Sequence, residues 1–566
     1  MTNEKAGEHI SYRSYPPGVA HTISLDPRRT LVDVLLDSCE AFGPQVAYTH
    51  MNARLTYDGL ERQTQALAAY FQQELGLVKG DRLALMMPNL LQYPIALFAA
   101  LRAGLIVVNV NPLYTSRELG HQLTDSGARA IVIAENFAAT LTRTLADNDH
   151  DNAIEHVIMT RIGDQLPLAS RVLTNFAVKH IKRMVPTYSL DAPITFRHAM
   201  KLGQRVSARF DPPELDGGDL AFLQYTGGTT GLAKGARLSH ANMVANLRQA
   251  SVWLEPWINR GQEHVITALP LYHVFALTAN CLVFLEQGGN NRLVTNPRDI
   301  PGMVKVFKQH QPTVFTGVNT LFNALVNNPE FTRLDFSKLR LTLGGGASVQ
   351  KPVADAWQQV TGTVLTEAYG LTETAPAVCV NRFDANGHTS KIGLPIPSTE
   401  VSIRDDDGHE LGLNEPGELC VRGPQVMDNY WGYGADTAND IFTDDGYFRT
   451  GDIATLDDDG YLAIVDRKKD MINVSGFNVF PNEIESVIAE HAKVLEAGCI
   501  GIADAKSGEE VKAFVVKRDD SLTADELETF CRDRLTAYKV PRHIVFVDEL
   551  PKSNVGKILR KELRAA

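Results

Sequence analysis

From Leu31 to about Asn381 the chain alternates short aliphatic runs, such as 105-LIVVNV and 130-AIVIA, with longer stretches of helical period, such as 61-ERQTQALAAYFQQEL. Runs that are apolar at every position belong to strands covered on both faces, so this alternation predicts mainly parallel sheets with helices packed against them. After about Lys391 the texture changes to short strands and tight turns, 401-VSIRDDDGHEL, 418-ELCVRG and 457-DDDGYLAIVDR, whose Asp-Gly pairs predict hairpins of an antiparallel module. Beyond Arg467 an α+β pattern follows, with a helix from Pro481 to Glu490, strands at 497-AGCIGI and 512-KAFVVK, and a helix from Ala524 to Leu535. The polar stretch 466-DRKKD separates the two patterns and predicts domains 1–466 and 467–566. The fold class is α/β: a large N-terminal domain of βα-layered sheets plus a small antiparallel β module, then a small α+β C-terminal domain.

One amphipathic segment stands apart, 168-LASRVLTNFAVKHIKRMVP. On a helical wheel Val172, Leu173, Phe176, Ile181 and Met184 fall on one side and Arg171, Lys179, Lys182 and Arg183 gather opposite. Two readings stay open: a membrane-surface helix, or an ordinary surface helix with its apolar face on the core. The most apolar stretch, Tyr93 to Val110, is interrupted by Pro94, Arg102 and Gly104, so no membrane-spanning helix is expected.

The 566 residues carry 55 basic and 67 acidic side chains, a net charge of −12. Such a surface repels a phosphodiester backbone, and nucleic acid is not an expected partner. The six cysteines, Cys39, Cys281, Cys379, Cys420, Cys499 and Cys531, form no C-x-x-C pair, which fits a reducing cytoplasm, and the acidic start MTNEKAGEHI is unlike a signal peptide.

The strongest chemical signal is 225-YTGGTTGLAKG, placed between the strand-like run 220-LAFLQ and a helical pattern from Ser239. Its four glycines let backbone amides approach a ligand and its three threonines add hydroxyl donors, a cradle for a polyphosphate. It is not a Walker A loop, because Lys234 lies between Ala233 and Gly235. Further blocks follow in order: 270-PLYHVFAL, 344-GGGAS, 369-YGLTET, 450-TGD with 466-DRKKDMINVSGFNVFPNEIE, and 551-PKSNVGKILRKEL. In these blocks the chain resembles the acyl-adenylate-forming superfamily, and within it the bacterial long-chain fatty-acid:CoA ligases.

The resemblance implies ATP-dependent joining of a fatty acid to AMP, then transfer of the acyl group to coenzyme A, with release of AMP and pyrophosphate. It assigns the nucleotide to Thr226, Gly227, Gly228, Thr229, Thr230, Gly231, Lys234, Gly346, Ala347, Ala368, Tyr369, Gly370, Thr372, Asp452 and Arg467. Tyr369 would stack on the base, Asp452 would accept from the ribose hydroxyls, and Thr226 and Glu373 would hold Mg²⁺ through oxygen. Lys557 would bridge carboxylate and α-phosphate, Lys469 would be the pivot of a mobile C-terminal domain with its hinge near 466–470, and coenzyme A would bind beside Ser475, Gly476 and Phe477. Arg449 stands where these ligases usually carry His. The acyl chain would follow 269-LPLYHVFALTANCLVFLEQGG from His273, a residue that equally suits a core histidine, and Gly370 would leave room for a long tail where short-chain relatives carry Trp. The resemblance is compatible with a homodimer and with a cytoplasmic enzyme in peripheral contact with the inner membrane. Alternatives are a medium-chain or aryl acid:CoA ligase, an adenylating enzyme that loads a carrier protein, and a non-catalytic acyl-nucleotide-binding protein.

Overall fold

A computed structural model describes residues 10–147, 154–226, 233–434, 441–475, 477–504, 507–553 and 557–565. Two large sheets carry the N-terminal part. One has nine strands; the six in the middle run in the order Leu365–Gly370, Leu341–Gly344, Val314–Gly317, His264–Thr267, Asn290–Leu293 and Val46–His50, all parallel. Antiparallel strands close it at both ends, Ala53–Thr56 on one side and Ala377–Val380 with Leu394–Pro395 on the other. The second sheet has seven strands and is parallel except for Gly235–Ser239, which returns antiparallel to Leu220–Tyr225. The expected βα layering is thus observed, with antiparallel edges that the apolar runs alone did not foretell.

Local chemistry starts the helices where the pattern places them. Thr56 opens the helix Tyr57–Gln73 by accepting from the Gly59 amide. Ser239 and Asn242 form a reciprocal box at the start of His240–Leu254: the Ser239 hydroxyl accepts from the Asn242 amide at 3.1 Å and the Asn242 side chain accepts from the Ser239 amide at 3.0 Å. The predicted antiparallel module is a four-stranded sheet of Glu400–Arg404, Gly417–Arg422, Phe448–Leu456 and Leu462–Arg467.

Residues from Ile472 onward form a further sheet with helices Pro481–Ala489 and Ala524–Arg532, and they bury their own apolar side chains in cores distinct from those of the N-terminal part. The last strand of the four-stranded sheet ends at Arg467, one residue past the expected boundary. All six cysteines are buried and unpaired. Among the described residues no helix is long and apolar enough to cross a membrane.

Candidate active site

The sheet topology gathers the chemically distinctive residues at the carboxyl ends of strands. Asn109 ends one strand, Thr226 follows another, Gly345 and Gly346 follow Leu341–Gly344, and Gly370 ends Leu365–Gly370. These positions line one cavity of about 840 Å³, with Lys469 and Lys557 from the C-terminal part facing them. Crevices at strand carboxyl ends are the usual ligand sites of such sheets.

Tyr369, Asp452 and Arg467 form a triangle in which Tyr369 and Arg467 line this cavity and Asp452 faces a smaller pocket that shares Arg467 and Lys469 with it. The Tyr369 hydroxyl donates to Asp452 Oδ2 at 2.6 Å and Arg467 Nε lies 3.1 Å from Asp452 Oδ1. Asp452 and Arg467 are register partners on adjacent strands, so the pairing of the sheet sets the ion pair. Burial and the Asp452 charge hold the Tyr369 phenol well above its ordinary pKa, which keeps it a donor. Asp452 therefore has a partner on each oxygen and keeps lone pairs that can accept further hydrogen bonds. Arg449, the departure from the family pattern, lies 3.6 Å from Glu418.

Opposite, Glu373 Oε1 accepts from the Tyr430 hydroxyl at 2.6 Å, while the Lys234 ammonium sits over the rings of Tyr430 and Tyr433, 5.2 and 4.7 Å from their centroids. The Thr226 amide donates to the Lys234 carbonyl at 3.0 Å and closes the neck of the glycine-rich loop. Gly227, Gly228, Thr229, Thr230 and Gly231 lie outside the described residues. Thr226 and Glu373 line the same cavity and offer a hydroxyl and a carboxylate, hard oxygen donors that suit Mg²⁺.

Deeper in, His273 Nδ1 accepts from the Phe275 amide at 3.3 Å, so the ring proton resides on Nε2. Burial, reinforced by the charge of Lys557, lowers the His273 pKa to about 4, and the ring is neutral near pH 7. Burial, then Arg467, lowers the Lys557 pKa to about 8 against the opposing pull of Asp452. Burial lowers Lys469 as well. The Lys557 segment is pinned by Arg560, whose guanidinium reaches Asp466 at 3.2 Å, Glu485 at 2.9 Å and Asp470 at 3.5 Å.

From this polar head the cavity continues as an apolar arm past Trp253, Phe275, Phe284, Val314, Leu341 and Phe383. Gly370 borders the arm, but the reason for glycine differs from the sequence expectation. A Cβ there would lie 2.0 Å from the Pro376 carbonyl oxygen, so the absent side chain makes way for the antiparallel neighbour strand and not for a tail. Ala368, Gly346 and Thr372 line the cavity and Ala347 does not. Ser475 and Phe477 do not line it either; they sit on a hairpin of the C-terminal sheet, where Phe477 stacks on Tyr538 with centroids 4.8 Å apart. Gly476 lies outside the described residues.

Sequence reasoning missed Tyr430, Arg560 and a buried polar ladder. In that ladder Tyr93 donates to Asn109, Asn109 to Gln224, and Gln224 to the Tyr272 carbonyl, at 2.7, 3.0 and 2.8 Å. The Leu271 amide donates to Asn89 at 2.8 Å, and together these bonds fix the approach to His273. Only the position of Arg560 within 551-PKSNVGKILRKEL hinted at a role.

Comparison with known proteins gives consistent results. Residues 35–431 match the family described as AMP-binding enzyme, and residues 483–557 the AMP-binding enzyme C-terminal domain. A long-chain-fatty-acid–CoA ligase of Escherichia coli O157:H7 is 57% identical over 550 residues, 97% of each chain. Among solved structures, the anthranilate CoA ligase AuaEII in complex with anthranoyl-AMP shares the fold with a TM-score of 0.84 at 22% identity, over 96% of this chain and 98% of that one. ATP-bound MatB from Rhodopseudomonas palustris is similar with a TM-score of 0.79 at 26% identity, over 95% and 98%.

The contact at Gly370 yields a test. Gly370→Ala and Gly370→Trp are each expected to destabilise the fold by at least about 1–3 kcal/mol, since the colliding atom is backbone, read as a lower thermal midpoint. An unchanged midpoint would show that the new side chain turns into the cavity instead.

Proposed function

The chain belongs to the AMP-binding enzyme family, and from that premise we infer that it is an AMP-forming ligase that activates long-chain fatty acids to acyl-CoA through an acyl-adenylate, with ATP, Mg²⁺ and coenzyme A. The observation that carries this reading is a single cavity joining a polar head, bordered by Thr226, Glu373, Tyr369 and Lys557, to an apolar arm. A fatty carboxylate poorly expels oxide; as an adenylate it carries a leaving group that a thiol can displace. In the first step the carboxylate oxygen attacks the α-phosphorus in line and pyrophosphate departs with the electrons of the broken P–O bond, so positioning and charge neutralisation do most of the work.

Lys557, as the ammonium, supplies the cation where carboxylate and α-phosphate meet, and neutral His273 offers its Nε2 proton beside it. Tyr369 borders the base, and Asp452 with Arg467 takes the ribose. Bound magnesium would neutralise phosphate charge, and Thr226 and Glu373 are the residues to hold it.

The thiol then needs the space that Lys557 fills. We assign the pivot to Lys469, with residues 467–566 as the moving unit, a motion that would bring Ser475 and Phe477 to the cleft for coenzyme A. The Asp466–Arg560 ion pair supports this division: Asp466 lies before the pivot and Arg560 beyond it, so the pair is made in the present arrangement and has to part when the domain turns. The proposed location is the cytoplasmic face of the membrane, in peripheral contact.

A pyrophosphate-release assay across free acids of increasing chain length, with and without coenzyme A, tests the reading. Release that rises toward long acids supports it; preference for aryl or medium-chain acids, or release independent of acid, overturns it. Lys557→Ala should lower the adenylation rate by about 10²–10³-fold while transfer from preformed acyl-adenylate to coenzyme A persists; equal loss of both steps would remove Lys557 from its role. Because the free-enzyme Lys557 is lowered to about 8 and acts as the cation, kcat/KM for adenylation should fall as pH rises through that value. Asp466→Asn should slow adenylation severalfold and leave the transfer step intact, and a variant slowed equally in both steps would show that the ion pair serves only stability.

A further inference from the structure

The segment 168–184 folds as an α-helix, Leu168–Phe176, continued by a π-helical turn, Ala177–Ile181, and neither contains a buried residue. Its amphipathicity is turned outward. The polar side holds it to the body: Ser170 accepts from the Asn52 side chain at 2.7 Å, Asn175 accepts from the Gly163 amide at 2.8 Å, and Lys179 donates to buried Glu135 at 2.9 Å. Leu168, Val172, Leu173, Phe176, Ile181 and Met184 point away, 50–69% exposed. Fourteen large hydrophobic side chains are exposed among the described residues, and these six lie within seventeen positions, so chance scatter does not account for the patch. Of the two readings left open, the one that packs this apolar face on the core does not hold for these six side chains, although Val178 of the same segment packs against the main core.

Charge selects the occupant. Between Gln165 and Leu190 there is no Asp or Glu, while Arg171, Lys179, Lys182 and Arg183 add four positive charges to a chain whose net charge is −12. Lys179 is committed to Glu135, whereas Arg171, Lys182 and Arg183 enter no ion pair among the described residues. An outward apolar face in a segment that also carries the exposed cations Lys182 and Arg183 and the half-buried Arg171 suits a helix that lies in a lipid interface, its aliphatic side chains below the headgroups and its cations reaching anionic phosphates.

We propose that residues 168–184 are the membrane-docking element of this protein and that their ligand is an anionic phospholipid bilayer, entered by the outward face of the helix. This deepens the location given above and rests on the fatty-acid reading only in its kinetic consequence: the enzyme would take long-chain acids dissolved in the bilayer to which it is docked.

The test uses the full chain with vesicles of phosphatidylcholine alone or mixed with phosphatidylglycerol. Two variants are compared with the parent, Leu173→Ser/Phe176→Ser/Ile181→Ser and Arg171→Glu/Lys182→Glu/Arg183→Glu; Lys179 is kept because it anchors the helix. All changed side chains are at least partly solvent-facing, and matching thermal midpoints establish that the variants fold. The parent should co-sediment with anionic vesicles and weakly with neutral ones, and the charge-reversed variant should lose at least about a hundredfold in partition at low salt, a difference that shrinks as salt screens it. The serine variant should lose binding to both. Both should turn over a water-soluble medium-chain acid like the parent but show a raised KM for long-chain acid presented in vesicles. Equal sedimentation of all three proteins overturns the proposal, as does concentration-dependent self-association that the variants abolish without any parent binding to lipid, which would assign the face to a second copy. Because sedimentation needs no substrate, its outcome is separate from any failure of the fatty-acid reading.

Discussion

Asp452 ties the four-stranded sheet to the nine-stranded one at the point where the chain leaves for the C-terminal region. It stands on the four-stranded antiparallel sheet, accepts from Tyr369 near the carboxyl end of an interior strand of the nine-stranded sheet, and pairs with Arg467 at the end of the strand that leads into the C-terminal region. Its residue exposure is 4%, and a carboxylate so buried is tolerable only if paired and hydrogen-bonded. The same two bonds that satisfy it therefore fix the wall of the cavity and the direction in which the chain leaves for the C-terminal domain. Removing Arg467 would leave the buried carboxylate without its counter-charge, and removing Tyr369 would leave one of its oxygens without this donor.

The other wall is held by neutral polar groups. The ladder from Tyr93 through Asn109 and Gln224 to the Tyr272 carbonyl ties the seven-stranded sheet to the loop that carries His273. Each of its members is buried or nearly so, and such a network is stable only when its groups find partners. The apolar arm could not have been built this way: it needs volume without donors, and the aromatic and aliphatic side chains along it supply that. A polar head at the strand ends and an apolar arm between the layers thus follow from one topology.

The helix from Leu168 obeys a different balance. Leucine, phenylalanine and isoleucine gain nothing from exposure to water, yet six large apolar side chains stand together on this surface. The polar anchors to Glu135, Gly163 and Asn52 show how the fold holds the helix with that face outward.

Periodicity and turn chemistry determined the layered α/β architecture, the hairpins of the antiparallel module, the change of pattern near 466-DRKKD, and the motif residues Thr226, Tyr369, Glu373, Arg467 and Lys557, which the fold brings to one cavity. These were legible because strands and helices have their own periods and because glycine-rich and charged motifs are local in sequence. The tertiary structure alone decided four things: that Gly370 is glycine to clear the Pro376 carbonyl, that Tyr430 caps Glu373, that Arg560 reaches back to Asp466, and that the apolar face at 168–184 turns outward. Each depends on atoms separated in sequence by several to nearly a hundred positions, or on the rotation of a helix about its own axis. A hydrophobic pattern records that a helix has two faces; which of them meets the protein is settled only by the partners that the rest of the fold presents.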